Sequence, residues 1–93
     1  MIERIRLIMK NFEYVIKDEL GIHARPAGLI VKEATKFSSS ITIQKGDTTT
    51  DAKRLFALMS LGAKKADAIN VTFEGEDEDA AYEALKKLFE ANL

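Results

Sequence analysis

Gly21-Ile22-His23-Ala24-Arg25-Pro26-Ala27 holds the only histidine and the only proline of this 93-residue chain. Proline fits the first turn of a helix, where the N–H it lacks would have no partner. The residues beyond it carry helical spacing, with Ala27, Ile30, Val31 and Ala34 forming one apolar stripe. His23 is therefore predicted at the entrance of a helix running from about Ala24 to Lys36. A helix entrance presents unpaired N–H groups and the positive end of the peptide dipoles, so it attracts anions, phosphate in particular. Arg25 adds a planar fork of donors that suits phosphate oxygens. A neutral imidazole in that setting is a nucleophile whose natural product is a phosphohistidine. On these residues alone a second reading stands beside it: a surface or capping histidine with no chemistry.

Upstream, Phe12, Tyr14 and Ile16 alternate with Glu13, Val15 and Lys17, the period-two pattern of a half-buried strand over 12–17. Asp18, Glu19 and Gly21 break it and form the loop that delivers His23. Downstream, Phe37 is predicted to close the helix face over a sheet, with Lys32 and Lys36 on the polar side. Gly28 weakens that helix and is open to a close-packing role. Ser38-Ser39-Ser40 reads as a turn and Ile41-Thr42-Ile43-Gln44 as a strand. Lys45-Gly46-Asp47 carries turn chemistry before Thr48-Thr49-Thr50, which predicts a hairpin.

A short helix is predicted from Lys53 to Ser60, with Leu55, Leu58 and Met59 facing inward and Phe56 off that stripe, as a contact surface would be. Gly62 caps it, 63–67 is a loop, and Ile69, Val71 and Phe73 mark another strand. Glu76-Asp77-Glu78-Asp79 opens a final helix as capping carboxylates, with Lys86-Lys87 toward its other end and Ala81, Leu85, Leu88 and Phe89 buried. The order is β-α-β-β-α-β-α, an α+β chain in which helices cover one face of a four-stranded sheet.

The composition sets bounds. Apolar residues make up 46% and charged residues 31%, as in an ordinary globular domain. The net charge of −1, with no basic stripe, argues against a nucleic-acid partner. No cysteine excludes disulfides and thiol chemistry, and no apolar run approaches the roughly 18 residues of a membrane span. Met1 to Ile8 alternates charges with aliphatics and lacks the features of an export signal, so a cytoplasmic location with no stable membrane association is expected.

GIHARPA, the apolar helix after it and Leu58-Met59-Ser60-Leu61-Gly62 together resemble the active-site signature of the HPr family, the histidine-containing phosphocarriers of the sugar phosphotransferase system. The similarity runs from about Met9 to the C-terminus. It divides the chain into residues 1–8, an extension or alternative start, and 9–93, one HPr-like domain. The resemblance implies an open-faced β-sandwich, a four-stranded antiparallel sheet with three helices on one face. It implies that His23 takes a phosphoryl group at Nδ1 from enzyme I, which phosphoenolpyruvate charges, and passes it to enzyme IIA domains. Arg25 and the Ala24 and Arg25 amides would steady the phosphoryl, and Pro26 would fix the helix start. Leu55 and Phe56, with Met59 and Lys32, would dock partners. No metal or organic cofactor is expected, and a monomer is the default for a shuttle.

Where many members carry a regulatory serine at the start of the short helix, this chain has Arg54, which cannot accept phosphate. That departure keeps an alternative open: an HPr-like regulatory module that signals its phosphorylation state and carries little sugar flux.

Overall fold

The computed structural model describes residues 10–93. The expectation for residues 1–8 lies outside the described residues. Four strands form one antiparallel sheet, β1 (Lys10–Val15), β2 (Ser40–Lys45), β3 (Thr48–Asp51) and β4 (Ala68–Glu74), in the order β1-β4-β2-β3. Three helices cover one face: α1 (Ala24–Ala34), α2 (Leu55–Ser60) and α3 (Glu78–Asn92). This is the open-faced α+β sandwich expected from the sequence.

The alternation in the strands decides which face is covered. Phe12, Ile41, Ile43, Ile69, Val71 and Phe73 point under the helices and are buried, whereas Thr42, Gln44, Asn70 and Thr72 occupy the intervening positions on the open face. The register pairs Phe12 with Val71 and Ile43 with Val71, so the apolar rows of three strands line up across the sheet. From the helices, Ala27, Ile30 and Ala34 of α1, Leu58 of α2, and Ala81, Leu85 and Phe89 of α3 complete the core. Phe12 anchors it, edge-on to Tyr82 at 5.6 Å and to Phe89 at 5.5 Å between ring centroids.

Several expected boundaries shift, each for a local reason. β1 ends at Val15, because the N–H of Ile16 turns to Asp67 O (3.0 Å) and its carbonyl accepts from Ala66 N–H (2.8 Å). α1 stops at Ala34 in a tightened turn, with Phe37 N–H bonded to Ala34 O at 3.2 Å. α2 starts at Leu55, since the Asp51 carboxylate takes the Lys53 N–H (2.8 Å) and folds that segment into a turn. Leu58 alone is buried in α2; Leu55 and Met59 are more than a third exposed, so the expected inward stripe of three is one residue wide. Six residues of helix are too short to turn a full apolar face to the sheet. A Cβ on Gly28 would meet open space, so close packing does not explain that glycine.

The carboxylate run also works differently from expectation. Asp77 stands at the N-cap of α3 but makes no side-chain bond to that helix. Its carboxylate instead accepts from the N–H groups of Ser38 and Ser39, both at 2.9 Å, and from the Ser39 hydroxyl. Glu78 bends back to accept the Gly75 N–H at 3.0 Å. Lys86 and Lys87 lie well inside α3, whose last turn carries no basic residue, and Lys86 Nζ sits over the Tyr82 ring at 5.5 Å.

Candidate functional site

The loop before α1 is tied to two distant points of the chain. The N–H groups of Lys17 and Asp18 bond the Leu93 oxygen at 2.6 and 2.9 Å, and Ile22 N–H bonds Ala63 O at 3.0 Å. Gly21 makes the turn at φ +68, and a Cβ there would fall 2.1 Å from Ala63 O. Glycine alone permits this backbone, in conformation and in space. Ile22 is buried behind the loop, so the next residue is thrown to the surface at a fixed point.

That residue is His23, the N-cap of α1, in extended conformation at φ −92 and ψ −172. Its carbonyl accepts the first helical bond, from Ala27 N–H at 2.9 Å, while its side chain makes no capping bond and is 36% exposed. The imidazole is thus not committed to capping its own helix. Pro26 is buried in the first turn and has no N–H to satisfy, and among the described residues nothing accepts from the Ala24 and Arg25 amides. Arg25 is exposed beside them. The site is an open surface: the cavity of about 240 Å³ on the far face of the sheet, lined by Glu13, Gln44, Ala68 and Asn70, shares no residue with it.

His23, Ala24, Arg25 and Pro26 come together as expected. Leu55, Phe56 and Met59 lie on α2, which packs against α1 and whose following loop receives the Ile22 bond. Phe56 is 78% exposed, the most open large apolar side chain described. Lys32 is not beside His23; it sits in the last turn of α1, about 14 Å along the axis at 1.5 Å per residue. Two features of the loop before the ring escaped the sequence reading. Asp18 Oδ1 lies 3.9 Å from His23 Nε2, while accepting the Leu20 N–H at 2.8 Å. Leu20, only three residues before the histidine, is 69% exposed. The Asp-x-Leu spacing of an Asx turn could have signalled the first; nothing in the local pattern marked the second.

The loop that receives Ile22 is itself braced. Lys45 Nζ bonds Gly62 O at 2.9 Å and lies 3.3 Å from the Asp67 carboxylate. Asp67 also accepts the Lys64 N–H at 2.8 Å. That amide bond first, and Lys45 next, hold the Asp67 carboxyl below its ordinary value.

The family model "PTS HPr component phosphorylation site" matches residues 10–91. The phosphocarrier protein HPr of Mycoplasma genitalium is 41% identical over 85 residues, covering 90% of this chain and 97% of that one. A crystal structure of HPr from Thermoanaerobacter tengcongensis superposes with a TM-score of 0.84 at 40% identity, over 88% of this chain and 92% of that one. A dimer of HPr from the same organism matches with a TM-score of 0.71 at 36% identity, over 97% and 95%. No described helix is long and apolar enough to cross a membrane. The chain belongs to the HPr family, the histidine-containing phosphocarriers of the phosphotransferase system.

Proposed function

We propose that His23 is the residue that carries the phosphoryl group, received from enzyme I and passed to enzyme IIA domains. One observation carries this reading: a half-exposed imidazole with no capping bond stands beside the two unpartnered amides at the entrance of α1. The Nδ1 lone pair attacks phosphorus while the donor's histidine nitrogen leaves with its electron pair. The transferred oxygens then settle against the Ala24 and Arg25 N–H groups and the Arg25 guanidinium. Positioning and charge supply what the transfer needs. In the return step the ring nitrogen is the leaving group.

Phe56, Leu55 and Met59 form the apolar part of the docking surface, and Lys32, farther along α1, meets acidic groups at its rim. An exposed site and a monomer suit a carrier that meets two partners in turn; the cytoplasm is where both would be met. Arg54 is exposed at the head of α2 and offers no hydroxyl, so a serine kinase has no substrate at that position. Incubation with enzyme I and labelled phosphoenolpyruvate, followed by mapping, tests the assignment: His23 takes the label, and His23→Ala takes none. Full labelling of that variant would overturn it. Arg54 favours the regulatory reading as the alternative; restoration of sugar uptake in cells lacking their own carrier separates the two.

A further inference from the structure

We infer that Asp18 is a positioning residue that directs the phosphoryl group to Nδ1 of His23, an inference that rests on His23 being the carrier. Its carboxylate oxygen lies 3.9 Å from Nε2, too far for a direct hydrogen bond and close enough to act as a charge. It is also held there. The Asp18 N–H is bonded to the Leu93 oxygen at 2.9 Å, its carbonyl accepts the Gly21 N–H at 3.0 Å, and Oδ1 accepts the Leu20 N–H at 2.8 Å. Glu19, the next acid in the loop, is engaged with Lys65 at 3.0 Å. The carboxylate oxygen that lies against the imidazole is that of Asp18, and it lies beside Nε2.

Two consequences follow for the ring. A negative charge beside Nε2 favours the tautomer that keeps its proton there, which leaves the lone pair on Nδ1. A dianionic phosphoryl on Nε2 would stand against the carboxylate, whereas on Nδ1 it is removed by the width of the ring. When Nδ1 bonds to phosphorus and the donor nitrogen departs with its electron pair, the ring retains the Nε2 proton and becomes cationic. That positive charge then develops opposite Asp18.

The test uses the full chain and phosphoramidate, a chemical donor that needs no partner protein: the N–P bond forms as ammonia leaves. Asp18→Asn keeps an Oδ1 acceptor for the Leu20 N–H while it removes the charge and turns the other oxygen into an NH2 donor, and Asp18→Ala removes both acceptor and charge. Phosphorus and nitrogen NMR read which ring nitrogen is modified. The wild type gives the Nδ1 adduct. Asp18→Asn raises the ratio of Nε2 to Nδ1 adduct about fourfold, the size expected for one charge seen from about 4 Å rather than from across the ring, and lowers the Nε2–H tautomer fraction of the unmodified ring. An unchanged adduct ratio in Asp18→Asn overturns the proposal, including when Asp18→Ala alone changes it, because loop geometry would then be the cause. Failure of enzyme I to label His23 while this chemical selectivity holds would instead reject the carrier reading and leave the steering intact.

Discussion

At the scale of single residues, the site depends on Gly21 as much as on His23. Its backbone sits at φ +68 and the space a Cβ would need is taken by Ala63 O. Gly21→Ala is expected to cost about 1–3 kcal/mol in chemical denaturation, from strain and from loss of the Ile22 bond to Ala63. The same change should slow phosphorylation, since it moves the ring relative to the α1 amides. The place of His23, Arg25 and Pro26 at a helix start was legible in the sequence, because proline and the apolar spacing after it act over a few residues. Asp18 was not, because its role comes from a loop folded back on itself and tied to the last residue, Leu93, far off in sequence.

At the scale of elements, two short segments carry separate tasks. α2 buries Leu58 and leaves Phe56 to solvent. Phe56→Ala is therefore expected to leave stability within about 0.5 kcal/mol while raising the KM for phosphorylation by enzyme I roughly tenfold, the weight of a small docking hot spot; steady-state labelling and urea melts measure the two. The link between the turn before β2 and the head of α3 is the Asp77 carboxylate. The Ser39 hydroxyl first and the Ser38 N–H next pull its carboxyl from the ordinary 3.8 to about 2. A carboxyl depressed on folding stabilises fully above its unfolded value and loses that contribution as pH falls through the folded one. Stability should thus drop between about pH 4 and 2, with Asp67 shifting in the same direction. Asp77→Asn should lower the urea midpoint at neutral pH and flatten that acid limb. An acid limb unchanged in the variant would assign the loss to other groups.

At the scale of the molecule, one core joins the helices to the sheet, and Phe89 of α3 is fully buried at its centre against Phe12 and Tyr14 of β1. Phe89→Ala is expected to cost about 3–5 kcal/mol, by lost transfer energy and the cavity left behind, a large share of the stability of a domain this small. Thermal or urea unfolding checks it, and His23 should still be phosphorylated wherever the variant remains folded. The sequence by itself determined the element order, the covered face of the sheet and the place of the histidine, because hydrophobic period, proline and glycine act over a few residues. Tertiary structure alone decided that Leu55 and Met59 stay exposed, that Asp77 clamps Ser38 and Ser39, and that Asp18 faces Nε2. Those outcomes depend on which distant backbone groups need a partner and how much of a short helix the sheet can cover, quantities set only when the layers meet.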